Sequence, residues 1–301
     1  MPLLEVNDQP IHVIDRGRGD AVVFLHAFPF QAAMWDYQLE AFEGTHRCIA
    51  IDLPGFGQSA SPAAPNRTTM QAWSDLMVGV LDQLGIEKAT LVGASMGGYL
   101  TMALLRHHRD RVRDVVFAGT RARSDDPQVA QKRTEQQEQL RGGTEVAALA
   151  KSVVEGLLSS GSMARPELVD YVYALTEAAT PEGWIGALEA MKSRPDNMLV
   201  LRQAGVRALV VVGELDRITP IAEAMSVRSL VKGELVVVPG VGHLPNIEDP
   251  LAFNDALGAF LGVTPAEAGG SDEVDLEEAS VADASEDESR AEAEPPVDAT
   301  V

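Results

Sequence analysis

Short β-branched runs alternating with longer helical patterns predict an α/β fold: a mostly parallel sheet with helices on both faces, plus a helical cap insertion. Three observations carry this reading. The blocks AVVFL, ATLVG, RALVVVG and ELVVV are almost uninterrupted apolar runs, as strands covered on both faces require. Between Gly119 and Arg207 the strand signal vanishes and helical periodicity replaces it. Gly, Pro and Asn separate the segments where helices and strands must end.

In chain order, strands are expected over 3–6, 11–15, 21–25, 47–51, 89–93, 112–118, 207–213 and 234–238. Helices are expected over 31–43, 69–84, 96–108, 220–231 and 249–262. The strand-free stretch holds helical patterns at 127–141, 144–159, 166–178 and 181–192, broken by Gly142-Gly143, Gly161, Pro166 and Pro181. The sheet core is therefore assigned to 1–120 and 199–263, and the helical insertion to 121–198. Its apolar residues, such as Leu157, Tyr171, Trp184 and Met191, recur at helical spacing.

The chain has 301 residues and a formal net charge of −21, unevenly spread. From Ala266 to Val301 there are 13 acidic residues against Arg290 alone, so this end carries −12 and the remainder −9. Residues 264–301 lack aromatics and cannot bury enough surface to offset their ordering entropy, so a disordered acidic tail is expected there. It reads as a solvating appendage or, alternatively, a docking segment for a basic partner. The charge argues against nucleic acid and anionic membranes as partners. Cys48 is the single cysteine and no Cys/His cluster has zinc-finger spacing, which excludes an intramolecular disulfide and structural zinc. Without a basic, apolar leader or an 18-residue apolar run, a soluble, cytoplasmic protein is expected.

Gly93-Ala94-Ser95-Met96-Gly97 follows one apolar strand and opens an apolar helix, which suits a sharp strand-to-helix turn presenting Ser95 as a nucleophile. A serine hydroxyl needs a base, and the base needs a group that fixes its tautomer. Asp216, in Gly213-Glu214-Leu215-Asp216, and His243, in Gly240-Val241-Gly242-His243, both fall just past carboxyl ends of expected strands, the edge where open α/β sheets place ligands. Asp125 and Asp126 are fallback acids. An acyl-transfer site also needs two donors for the developing oxyanion. The N–H of Met96 supplies one, and the N–H of Phe28, in His26-Ala27-Phe28-Pro29, is assigned as the second. His26 is read as tying down its loop, and His12, His46, His107 and His108 as surface or packing residues. Trp35 fits either a pocket wall or the packing of the first helix.

Over residues 1–263 these segments, with Asp52-Leu53-Pro54-Gly55-Phe56-Gly57-Gln58-Ser59, resemble the α/β-hydrolase fold superfamily, most closely its small carboxylesterases, enol-lactonases and perhydrolases or haloperoxidases. Ala27 departs from the glycine that many members carry. The Asp52–Ser59 turn reads as structural. Members that open epoxides or displace halide carry an aspartate at the elbow, and position 95 is serine. The resemblance implies a cofactor-free, metal-free serine hydrolase acting on a small-molecule ester, lactone or thioester through an acyl-enzyme, with 121–198 as a helical cap whose apolar residues pack together and in part face the pocket. Alternatives are a C–C bond hydrolase or perhydrolase with the same triad, or a non-catalytic binding protein of this fold. The oligomeric state is left open.

Overall fold

The computed structural model describes residues 3–266. A small hairpin opens the chain: β1 (Leu4–Val6) pairs antiparallel with β2 (Gln9–Ile11). Its two-residue loop, Asn7-Asp8, holds both φ angles positive at 53° and 61°, the geometry of a type I′ turn that Asn and Asp tolerate. Seven strands then build the main sheet: β3 (Val13–Gly17), β4 (Ala21–Leu25), β5 (Arg47–Ile51), β6 (Ala89–Ala94), β7 (Val112–Ala118), β8 (Ala208–Gly213) and β9 (Glu234–Val238). Their spatial order is β3-β5-β4-β6-β7-β8-β9, with β3 antiparallel to β5 and every other pair parallel.

The expected strand 11–15 is therefore two strands in two sheets. The break falls at His12, whose peptide is used outside the main ladder. Its N–H donates to Ser59 Oγ at 2.8 Å and its carbonyl accepts the Asp52 N–H at 3.1 Å.

Flanking helices are α1 (Asp36–Phe42), α2 (Met70–Gln83), α3 (Met96–His107), α4 (Pro127–Arg141), α5 (Val146–Leu157), α6 (Ser160–Met163), α7 (Pro166–Ala174), α8 (Pro181–Ser193), α9 (Met198–Gln203), α10 (Ile221–Val231), α11 (Pro245–Glu248) and α12 (Pro250–Leu261). The expected helix 31–43 begins as a 3-10 turn over Ala32–Trp35. Those expected over 144–159 and 166–178 stop at Leu157 and Ala174. Trp35 packs on Phe24 and Phe253, with ring centroids 5.2 and 6.0 Å away, so it belongs to the first helix's packing.

Period-two alternation divides each central strand between two apolar layers. Val23, Leu25, Leu91, Phe117 and Val212 face α2, α3, α8 and α10. Val22, Phe24, Val92, Val116 and Val211 face α1 and α12. The helices between β7 and β8, the segment expected as the cap and called so below, join these same layers instead of forming a core of their own. Trp184, Leu188 and Met191 of α8 enter the first, while Val154, Leu157 and Val172 of α5 and α7 enter the second.

A buried ionic knot fixes the entry to the cap. Asp125 accepts Arg133 Nε at 2.6 Å and Arg194 at 2.8 Å, and the Arg194 guanidinium lies 3.8 Å over the Tyr99 ring. Burial alone pushes the Asp125 carboxyl up, but the charges and hydrogen bonds of Arg133 and Arg194 outweigh it and hold the group below its ordinary range.

Of the segment 264–301 expected as a disordered acidic tail, residues 264–266 are described, and they lie against the body of the protein. Ala266 N–H donates to Ala41 O at 2.9 Å and Pro265 sits over Gly258, where a side chain would collide. Beyond Ala266 that expectation lies outside the described residues. Among the described residues, no helix is long and apolar enough to cross a membrane.

Removing Asp125 leaves two guanidinium groups without their shared carboxylate. Asp125→Ala is expected to cost about 3–5 kcal/mol in urea unfolding, the usual result of breaking a buried pair from one side. A loss under about 1 kcal/mol would show that the knot does not hold the cap.

Candidate active site

The parallel register brings the carboxyl ends of β4, β6, β7, β8 and β9 to one edge, with Leu25 paired to Gly93, Ala94 to Ala118, Ala118 to Val211, and Gly213 to Val238. Each residue singled out in the sequence follows one of these ends.

Ser95 joins β6 to α3 with φ 48° and ψ −106°, a conformation that L residues avoid and that costs about 1–3 kcal/mol. The surroundings over-determine it. Its N–H donates to Ala118 O at 2.8 Å, and its carbonyl accepts Gly98 N–H at 3.0 Å and Thr120 Oγ1 at 2.9 Å. Gly97 is required because a Cβ there would strike the Leu25 carbonyl. The turn leaves Ser95 partly exposed between fully buried neighbours. Its hydroxyl does not cap α3.

Asp216 is 5% exposed and fully engaged. Oδ1 accepts the N–H groups of Ile218 at 2.8 Å and Thr219 at 2.9 Å. Oδ2 accepts Thr219 Oγ1 at 2.7 Å and the His243 Nδ1–H at 2.8 Å. Burial raises this carboxyl, but the His243 ring and the hydrogen bonds from His243 and Thr219 outweigh that and hold it below the ordinary carboxylate range. A carboxylate at Nδ1 fixes the neutral imidazole as the Nδ1–H tautomer and leaves Nε2 as the basic lone pair.

The imidazole and the elbow each contact the end of β7. A Cβ on Gly119 would lie 3.2 Å from His243 Nδ1 and 3.3 Å from Cε1, and the preceding residue, Ala118, accepts the Ser95 N–H. The structure thus brings Asp216 and His243 into direct contact and sets the imidazole against Gly119, the residue after the one that anchors the Ser95 backbone. Among the described residues, no hydrogen bond joins the Ser95 hydroxyl to His243 or to any other group.

Phe28 and Met96 present backbone N–H groups that have no acceptor among the described residues. The loop carrying Phe28 is pinned by His26, which is fully buried. Its Nδ1 contacts Ala27 O at 2.9 Å and its Nε2 accepts the Leu53 N–H at 3.0 Å. Burial lowers the His26 pKa, so the ring is neutral and already bonded on both sides. Asp52 adds a second tie, accepting Ala32 N–H at 2.6 Å, Gln58 N–H at 2.9 Å and His12 Nδ1 at 2.7 Å. His12 is thus a buried structural partner, and His108 pairs with Asp75 at 2.6 Å. The Phe28 ring meets Trp184 of the cap at 4.5 Å between centroids.

The fallback acids are committed elsewhere. Asp125 holds the ionic knot, and Asp126 caps α4 by accepting the Gln128 and Val129 N–H groups at 2.9 Å. The sequence reading missed Gly119, Thr219 and Glu248. A glycine directly after an apolar strand was the available signal for Gly119.

With this geometry in place, the comparisons identify the family. The alpha/beta hydrolase fold model matches residues 20–250, and the chain belongs to that family. It is 27% identical over 262 residues to 3-oxoadipate enol-lactonase 2 of Acinetobacter baylyi, covering 86% of this chain and 95% of that protein. It is 29% identical over 257 residues to 2-hydroxymuconate semialdehyde hydrolase of a Pseudomonas species, covering 82% and 88%. Among solved structures, it is similar to a thermophilic esterase of Thermogutta terrifontis, with TM-score 0.82 and 31% identity over 86% of this chain and 97% of that one.

Gly119 combines φ 52° with contact to the imidazole. Gly119→Ala is expected to lose about 1–2 kcal/mol from the left-handed backbone alone, read as a lower urea midpoint. It should also slow covalent labelling of Ser95 by a fluorophosphonate. Unchanged midpoint and labelling would show that the ring does not depend on this surface.

Proposed function

We propose that the protein is a serine hydrolase that cleaves a small ester or lactone through an acyl-enzyme, with no cofactor in the reaction. The family and the named relatives make the chain a hydrolase; the substrate and the chemical steps are our reading. The observation that carries it is the 2.8 Å contact between buried Asp216 and His243, with the His243 ring packed against Gly119 and the strained, partly exposed Ser95 hydrogen-bonded to the adjacent Ala118.

In this reading His243 Nε2 takes the Ser95 hydroxyl proton as Oγ attacks the carbonyl carbon. Asp216 holds the ring at Nδ1 and stabilises the imidazolium that forms. The N–H groups of Phe28 and Met96 receive the oxyanion, each contributing about 3–4 kcal/mol by analogy with other such donors. His243 then passes its proton to the leaving alkoxide and activates water to release the acid. The Ser95–His243 hydrogen bond is not formed in the free protein and is expected to tighten around substrate, as catalytic contacts often do.

A second reading is hydrolysis of a C–C bond by the same residues, favoured by the likeness to 2-hydroxymuconate semialdehyde hydrolase over 82% of this chain. It requires protonation of a dienolate carbon before attack. An ultraviolet trace of a ring-cleavage dienoate against p-nitrophenyl ester turnover separates the two.

With p-nitrophenyl esters of graded chain length, the wild type is expected to give a burst of p-nitrophenol equal to the enzyme present. Ser95→Ala and His243→Ala should each lower turnover by about 10⁴-fold or more, with Asp216→Asn milder or equal. Retention of more than about a tenth of the activity in either of the first two would refute the assignment.

A further inference from the structure

Glu248 lies at the end of α11, five residues beyond His243, and is 3% exposed. A buried carboxylate is tolerated only when donors fill its lone pairs. Here every donor is a backbone N–H. Oε1 accepts Gly242 at 2.9 Å and Leu244 at 3.1 Å, while Oε2 accepts Gly242 and Ser159, both at 2.9 Å. Gly242 and Leu244 are the residues on either side of His243. The N–H between them, that of His243 itself, donates to Leu157 O at 2.8 Å. Three successive amides are therefore committed, two to Glu248 and one to the cap.

The same carboxylate reaches the cap. Ser159 follows α5, and a Cβ on Gly242 would lie 2.6 Å from Leu157 O and 2.7 Å from Ser159 N, so the cap segment 157–159 rests directly against the histidine loop. Arg165, just before α7, donates to the Glu248 carbonyl at 3.1 Å and adds a second tie to the same corner. Asp216 orients the imidazole at Nδ1, but nothing in that bond holds the backbone from which the ring hangs. Glu248 supplies that hold.

We propose that Glu248 is a positioning residue for His243: its carboxylate fixes the backbone carrying the imidazole and, through Ser159, ties that backbone to the cap, so that the seating of the cap and the aim of Nε2 are set together. The proposal rests on the base role given to His243 above.

Two substitutions separate positioning from simple support. Glu248→Ala removes all the bonds. Glu248→Gln keeps length and volume but turns an NH₂ group towards at least one of the three amides, so one acceptor becomes an opposing donor whichever way the amide lies. Below the melting temperature of each variant, kcat on a p-nitrophenyl ester is expected to fall about 30–100-fold for the alanine variant and about 5–10-fold for the glutamine variant. KM should stay within about twofold, because misplacing a catalytic group by less than an ångström is felt in the chemical step. Fluorophosphonate labelling of Ser95, which needs the same base, should slow in parallel.

If both variants keep kcat and labelling rate within about twofold while only Tm falls, Glu248 is a stability clamp and the proposal is overturned. A raised KM with unchanged kcat overturns it equally, since that places Glu248 in substrate binding. Should the alanine variant not fold, the near-isosteric glutamine variant decides alone. The wild-type control keeps the two claims apart. A wild type that is not labelled at Ser95 overturns the function and this proposal together. A labelled wild type matched by an equally labelled glutamine variant overturns this proposal only.

Discussion

Four donors converge on the carboxylate of Asp216, and one of them is the Nδ1–H of His243. Because the carboxylate is buried and every acceptor position is filled, the ring has a single favourable tautomer and a single free lone pair. That constraint gives the rest of the site its meaning. A strained serine beside a ring of the wrong tautomer would be an unreactive alcohol, and two unused amide donors would have no oxyanion to receive. The sheet makes the convergence possible, since parallel strands deliver all their carboxyl ends to one edge and leave the connecting loops to carry chemistry.

Buried carboxylates recur as the fasteners of these loops. Asp52 ties the loop bearing Phe28 to the turn after β5, Asp125 ties the cap entry to Arg133 and Arg194, and Glu248 ties the histidine loop to the segment after α5. The Glu248 carboxylate accepts only backbone N–H groups and so fixes main chain, while Asp52 holds two backbone N–H groups and the His12 ring. Loops are ordinarily the mobile part of a domain. Here the loops bearing Phe28 and His243 are each anchored at a point where desolvation makes the loss of a partner costly. The cap shares in this, having no separate apolar core and leaning on both layers of the sheet.

Much of the architecture was legible because it rests on patterns the chain cannot hide. Strands 21–25, 47–51, 112–118 and 234–238 and the helix 127–141 match the structure residue for residue. Their apolar runs and flanking breakers admit few alternatives. Ser95 stood out because its backbone needs glycines beside it, and Asp216 and His243 because each follows a strand end. What could not be read depends on contacts between distant segments. Glu248 takes one of its bonds from Ser159, 89 residues earlier, and its partners are amides that any residue type would offer. The division of 11–15 into β2 and β3 is imposed by Ser59 and Asp52. Helices α6, α9 and α11 span four, six and four residues, too few for a helical period to show.

The central claim is that Ser95 carries the acyl group and that His243 puts it there. Mass spectrometry of protein quenched during turnover of a slowly deacylating ester tests this most directly, by locating the adduct on a peptide. The account predicts one acyl group, on the peptide containing Ser95, in the native protein and none in a His243→Ala variant under the same quench. Turnover with no adduct on that peptide, or an acyl group lodged on another residue, would contradict it.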